Sequence, residues 1–151
     1  MATLDLLFQQ HRDLLALGKE LGALLDGSTA VAAELARVRW QISSLVGRHL
    51  VDQDELMRTL ARNGLNPDEQ AIFDQYFAGL PDMRLSFAKH NCEWTPDAVQ
   101  QDWAGYGGAA QSMITGLTDR IAWEERYLFP ILQTLEANSA ALTGDRIQSA
   151  A

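Results

Sequence analysis

Apolar residues recur every three or four positions along nearly the whole chain. This spacing places them on one face of an α-helix. The first such stripe contains the positions Leu4, Leu7, His11, Leu14, Gly18, Leu21 and Leu25. No segment alternates apolar and polar residues for long enough to indicate a β-strand. The pattern therefore predicts an all-α protein.

Three breaks, near residues 27, 65 and 95, separate four helical stretches. Each break carries residues that end or cap helices: Gly27 with Ser28 or Thr29, Asn66-Pro67-Asp68-Glu69, and Thr95-Pro96. Short connections between long helices favour antiparallel neighbours. The predicted architecture is an up-down-up-down four-helix bundle over residues 1–137, followed by a flexible or loosely docked tail over residues 138–151.

Three features are predicted to bend or interrupt these helices. They are Pro81 in the third helix, Gly105-Tyr106-Gly107-Gly108 in the fourth, and Pro130 near the end of the fourth. Proline removes a backbone donor and crowds the preceding turn, whereas glycine weakens a helix through its conformational freedom.

Composition narrows the classes of function. The 151 residues include 12 basic and 20 acidic side chains, for a net charge of −8, which argues against nucleic acid or an anionic membrane as partner. No apolar run reaches membrane-spanning length, and the N-terminus lacks the cationic start of a signal peptide. The single cysteine, Cys92, cannot form an internal disulfide. These features predict a cytoplasmic protein.

Polar side chains interrupt the otherwise apolar stripes at six positions: His11, His49, Gln53, His90, Arg120 and Glu124. The three histidines are the only ones in the chain, and they fall on three different predicted helices. Spacing of i, i+4 places Gln53 beside His49, and Glu124 beside Arg120. A single histidine in such a position is typical of a core residue bonded to a carbonyl or carboxylate. The coincidence of all three predicts one shared polar pocket.

Three segments carry a resemblance to a known family: FQQHRDL at residues 8–14, RHLVDQDEL at residues 48–56 and RIAWEERYLFP at residues 120–130. Through them the chain resembles the hemerythrin-like (HHE cation-binding) domains over residues 4–135. In that family, histidines from all four helices and carboxylates from two hold a di-iron centre that binds dioxygen or a related small ligand. The resemblance implies the same four-helix bundle.

The family's ligand positions are only partly matched. The resemblance places His11, His49, His90 and Glu124 at ligand positions, but Gln53 stands where the family has a bridging glutamate and Arg120 where it has a histidine. Glutamine is neutral, and arginine has no lone pair to donate. An intact di-iron centre is therefore not expected. One iron or zinc ion is the metal that this partial set predicts.

Two functional hypotheses follow. The first is a non-enzymatic sensor or carrier that holds a metal ion or small ligand in the bundle core. The second is a metal-free regulatory bundle that binds a protein partner or forms a homodimer. An oxidase-type di-iron enzyme is disfavoured because its Glu-x-x-His motif does not occur in the chain. No catalytic residue is predicted.

Overall fold

The computed structural model describes residues 1–27 and 31–149, with only the backbone described for residues 143–149. Within these ranges the chain is helical and contains no strand, which confirms the all-α prediction. The helices are α1 (Leu4–Leu25), α2 (Ala32–Leu60), α3 (Pro67–Glu93), α4 (Pro96–Gln101), α5 (Trp103–Trp123) and α6 (Phe129–Ser149). A 3₁₀ turn (Ala61–Asn63) follows α2, and a π turn (Glu124–Leu128) joins α5 to α6. None of the described helices combines the length and apolar character needed to cross a bilayer.

The helix ends fall at the predicted breaks. At the start of α3, the side chain of Asn66 accepts a bond from the backbone of Glu69, and that of Glu69 accepts one from the backbone of Asn66. This is the predicted capping box, which satisfies two otherwise unpaired donors. Thr95 caps α4 in a similar way. The predicted caps Ser28 and Thr29 lie outside the described residues.

The fourth predicted helix differs from expectation in where it is broken. The break lies at Asp102 between α4 and α5, and α5 continues through residues 105–108. The Asp102 side chain accepts a bond from the backbone of Gly105 at 2.8 Å. A Cβ on Gly105 would lie 2.1 Å from that carboxylate, so this glycine permits a helix start instead of interrupting a helix. Pro81 does not interrupt α3 either.

Pro130 has the predicted disruptive effect. It offers no N–H, and its ring crowds the carbonyl four residues before it. Immediately upstream the helix widens into the π turn, where the Phe129 amide bonds the Glu124 carbonyl five residues back. The backbone of α6 then stays helical through Ser149. The predicted tail therefore has a helical backbone where it is described, and whether it is flexible or loosely docked stays a prediction.

The buried side chains form three clusters along the helices. One, containing Leu7, Met57 and Phe129, gathers α1, α2, α3, the π turn and α6. A second, around Leu21 and Tyr106, gathers the other ends of α1 and α2 with α4 and α5. A small cluster of Leu14, Leu45 and Ile121 lies between them. The polar stripe residues of α1 and α2 therefore sit inside the protein.

Candidate metal centre

Three buried side chains from three elements converge on one point. His11 lies on α1, His49 on α2, and Glu124 opens the π turn. The two histidine Nε2 atoms are 3.2 Å apart. Oε2 of Glu124 lies 3.3 Å from Nε2 of His11 and 3.5 Å from Nε2 of His49. The exposed fractions are 0%, 6% and 3%, and the group could hold a metal ion.

The separations among these atoms match a metal's coordination shell. Zinc binds histidine nitrogen at about 2.0–2.1 Å and carboxylate oxygen at about 2.0–2.2 Å, usually in tetrahedral geometry. Two corners of such a tetrahedron are about 3.3 Å apart. The three observed separations of 3.2, 3.3 and 3.5 Å lie close to that edge. The ligand atoms therefore surround a site of the right size without rearrangement.

The outer nitrogen of each ring is held by an oxygen atom. Nδ1 of His11 lies 2.9 Å from a carboxylate oxygen of Glu125. Nδ1 of His49 lies 3.0 Å from Oε1 of Gln10, whose amide nitrogen donates to Asp52 at 2.6 Å. Because that donation fixes the Gln10 amide, its oxygen must face His49. Both Nδ1 atoms therefore donate a proton outward, as metal-binding histidines do.

This assignment leaves three electron-pair donors facing one another. With hydrogen on both Nδ1 atoms, the neutral rings of His11 and His49 present lone pairs at Nε2. The carboxylate oxygen of Glu124 is the third. Lone pairs at these distances repel unless a proton or a cation lies between them. The geometry therefore calls for positive charge at the point of convergence.

Glu124 also accepts hydrogen bonds from two neighbouring side chains, and a third side chain bonds one of these two. Arg120 donates from Nε to Oε1 at 2.5 Å, and Gln53 donates from its amide to Oε2 at 2.9 Å. The hydroxyl of Tyr76 donates to the Gln53 oxygen at 3.2 Å. The Arg120 guanidinium also lies 4.5 Å from the centre of the Tyr76 ring. Arg120 thus occupies the carboxylate oxygen that faces away from the two histidines.

Electrostatics keep Glu124 ionised. Burial by itself would raise the pKa of this carboxyl, but the hydrogen bonds that His11 and His49 form whenever an Nε2 atom carries a proton, together with the charge of Arg120, outweigh burial. The net effect holds the pKa of Glu124 well below its ordinary value. Burial raises the pKa of Tyr76 far above its ordinary value, so its hydroxyl stays protonated and can donate to Gln53.

The π turn brings two consecutive carboxylates to one imidazole. Glu124 faces Nε2 of His11 and Glu125 faces Nδ1 of the same ring. Phe129 stacks on that ring, with centroids 4.8 Å apart and planes 9° from parallel. Single π turns within α-helices occur frequently at functional sites. Here the turn that accommodates Pro130 also fixes the orientation of His11.

His90 is not brought to this group, contrary to the prediction of one pocket for all three histidines. The residue of α3 at the level of Glu124 is Tyr76. His90 follows fourteen residues later, about 21 Å further along the helix axis at 1.5 Å per residue. Its ring lies against Tyr106, with centroids 5.9 Å apart. His11, His49, Gln53, Arg120 and Glu124 do meet as predicted.

Sequence reasoning missed four residues that complete the site: Gln10, Asp52, Tyr76 and Glu125. Tyr76 lies at helical spacing from Phe73 and Leu80 in the third predicted helix, and its hydroxyl was a polar signal there. Glu125 and Gln10 are the immediate neighbours of Glu124 and His11. Their orientation depends on the π turn and on the rotation of α1, which periodicity does not give.

No family model matches the chain, and no similar protein was found among curated sequences or solved structures. The geometry of the donor set differs from that of a di-iron centre. A carboxylate that bridges two ions through its two oxygens needs both of them free, but Oε1 of Glu124 is bound by Arg120 and Oε2 accepts from Gln53. Gln53 supplies no negative charge. The residues present do not fit two ions.

Proposed function

We propose that this chain is a hemerythrin-like four-helix bundle that binds one transition metal ion through His11, His49 and Glu124. In this arrangement α1, α2 and α3 form three of the helices, and α5 with the π turn and α6 forms the fourth. Contacts of α1 with α2 and α5, of α2 with α6, and of α3 with the π turn support the arrangement. The observation that carries the metal site is the convergence of the two Nε2 atoms with Oε2 of Glu124, while a side-chain oxygen lies against each outer Nδ1 atom.

The donor set favours Zn²⁺ or Fe²⁺. Two imidazoles and one carboxylate leave an open position on either ion. The Gln53 amide donates to Oε2 of Glu124, the oxygen that faces the two histidines. Because the three ligands are almost fully buried, the open position suits a diatomic molecule or water better than an organic substrate. These features support a non-enzymatic sensor or carrier.

A metal titration tests the proposal directly. Untagged protein is analysed for bound metal and then titrated calorimetrically with Zn²⁺ and, under anaerobic conditions, with Fe²⁺. We expect one ion per chain. Co²⁺ serves as a spectroscopic probe, since its visible absorption distinguishes tetrahedral from octahedral coordination.

Two histidine variants provide a matched pair for that titration. His49→Gln removes a ligand and should abolish stoichiometric binding, whereas His90→Gln removes a histidine outside the group and should preserve it. Thermal melts verify that both variants fold. Absence of binding to the parent protein, or equal loss in both variants, would overturn the proposed site.

A second function is favoured by one observation. Both oxygens of Glu124 already accept hydrogen bonds from Arg120 and Gln53, and a proton on one histidine would complete the network without a metal. The chain would then act as a regulatory bundle that binds a protein partner or a second copy. Failure to bind any ion, together with a dimer in sedimentation analysis, would favour this function.

A further inference from the structure

A groove of about 770 Å³ opens on a face made by α2, α3 and α5. It lies outside the metal-ligand group, which consists of His11, His49 and Glu124. Its walls are largely apolar and include Val46, Leu50, Met83, Phe87, Met113 and Leu117. Pockets that bind small organic ligands have volumes of about 300–1,000 Å³ and predominantly apolar linings. The groove therefore has the size and surface of a small-molecule site.

The charge of the groove is opposite to that of the protein. Although the chain carries 20 acidic side chains, none of the residues lining the groove is acidic, while Arg84 and Arg120 both line it. Arg120 binds Glu124 through Nε, but its Nη2 atom is buried with no hydrogen-bond partner among the described residues. A buried unpaired donor favours an acceptor.

His90 supplies a second unpaired polar atom. Its side chain lines the same groove and is 9% exposed. Its Nε2 atom has no hydrogen-bond partner in the described part of the chain. Two residues that line the groove, His90 on α3 and Arg120 on α5, thus each carry a buried polar atom without a partner among the described residues, and a side-chain rotation would bring either atom to a ligand.

Glycines create part of the space. Gly47 on α2 and Gly116 on α5 both line the groove. Apart from the adjacent residues and the helix's own backbone, no described heavy atom lies within 4 Å of the position where a Cβ would stand on either residue. A larger side chain at these positions would therefore project into open space and reduce the volume available to a ligand.

We propose that this groove binds a free amphipathic carboxylate, with its alkyl chain against the apolar walls and its carboxylate near Arg120 and Arg84. The apolar lining accounts for the chain, and the exclusively basic charge accounts for the anionic group. Arg120 binds Glu124 through Nε, and its side chain also lines the groove. This binding is distinct from metal binding and does not depend on it.

Calorimetric titration with octanoate, decanoate and dodecanoate, each below its micelle concentration and with EDTA present, tests the proposal. Burial of one CH₂ contributes about 0.8 kcal/mol, so each added CH₂ should lower Kd about fourfold. Decanol should bind at least tenfold more weakly than decanoate, and decyltrimethylammonium should not compete. Equal affinity for decanol and decanoate would overturn recognition of the anion.

Two glycine variants on α5 locate the site. Gly116→Leu fills the groove and should reduce decanoate affinity at least tenfold. Gly108→Leu, on the same helix with equally open space but outside the groove, should leave the affinity unchanged. Both replace a helical glycine and should fold. Equal effects of the two variants would exclude the groove as the site.

Arg84→Met tests the head group separately, because it preserves apolar contact and removes one charge. We expect Arg84→Met to reduce the difference in affinity between decanoate and decanol. One metal ion per chain should still bind. If the protein sediments as a dimer and does not bind decanoate, a second copy covers the groove. That result would overturn the proposal.

Discussion

Two interior regions each contain histidine and a buried tyrosine. Their polar atoms are hydrogen-bonded in one region, and in the other two of them lack partners within the described part of the chain. Around Glu124, the Tyr76 hydroxyl donates to Gln53, and the Nδ1 atom of each histidine ring is bonded to a side-chain oxygen. Around His90, neither the Nε2 atom nor the Tyr106 hydroxyl has a hydrogen-bond partner among the described residues. The first region is a connected network, and the second borders a groove.

This difference shows how much the position of a residue on a helical stripe determines about its contacts. Periodicity places a side chain inside the protein, but its level along the helix axis decides which groups it meets. An unpaired buried polar atom costs about 1–3 kcal/mol. The region around His90 is therefore less stabilised by its polar atoms than the region around Glu124, and substitutions should affect the two regions differently.

The largest effect is expected for Glu124→Gln in metal-free protein. This substitution leaves the Arg120 cation without its carboxylate, and breaking a buried ion pair from one side costs roughly 3–5 kcal/mol. Urea unfolding in EDTA should show a lower free energy of unfolding by about that amount. Glu125→Gln is the control, because Glu125 is 39% exposed and should cost less than about 1 kcal/mol. Similar losses in both variants would contradict the network.

Metal affinity should respond to the two residues that depart from the family's ligand set. Arg120→His combined with Gln53→Glu adds an imidazole and a carboxylate and removes a cation beside the ion. We expect Fe²⁺ affinity to rise at least a hundredfold, which is about 2.7 kcal/mol. Arg120→Ala alone should raise it less, because it adds no ligand.

Anaerobic calorimetry measures both affinities, with thermal melts to verify folding. If the folded double variant binds Fe²⁺ no better than the parent, Arg120 and Gln53 do not limit metal binding. Packing around the three ligands would then be the limiting factor.

Much of the fold and part of the candidate site could be predicted from the sequence. The capping box at Asn66 and the disruption at Pro130 rest on local chemistry, which single residues specify. The meeting of His11, His49 and Glu124 followed from stripe positions and from the family resemblance. The all-α class followed from periodicity alone.

Other features depend on helix register and side-chain orientation, which cannot be predicted from the sequence alone. His90 was misplaced because the axial register of α3 against α5 sets its level, and a shift of a few turns changes every contact. The role of Gln10 depends on a side-chain amide orientation fixed by Asp52. The break at Asp102 depends on a cap that forms only because Gly105 lacks a Cβ.

A pair of tyrosine substitutions compares the two regions directly. Tyr76→Phe leaves the Gln53 oxygen without its donor and should lower the free energy of unfolding by about 1–2 kcal/mol. Tyr106→Phe removes a hydroxyl that has no partner in the described chain, and should leave stability unchanged or raise it. Urea unfolding at neutral pH measures both. A larger loss for Tyr106→Phe would show that its hydroxyl is bonded in solution.

The smallest effect is expected in the pH dependence of stability that His90 contributes. Burial lowers the pKa of His90 below its ordinary value of 6.5, the Arg39 charge lowers it further, and Glu93 opposes the shift. Tyr106, whose pKa is raised by burial, is neutral over this range. The unfolded chain therefore binds a proton at this position more readily than the folded one. The stabilisation that the neutral ring contributes is fully present above pH 6.5 and is lost as pH falls toward the lower folded pKa.

His90→Gln removes this dependence and leaves His11 and His49 in place, so their contributions cancel in the comparison. Between pH 7 and pH 5, the parent should lose more stability than the variant. Urea unfolding at several pH values in EDTA gives both curves. Parallel curves would mean that the His90 ring titrates alike in folded and unfolded protein, as a solvated side chain does. The surroundings of His90 would then not affect its protonation. The contrast between the two regions would rest on the metal-ligand group alone.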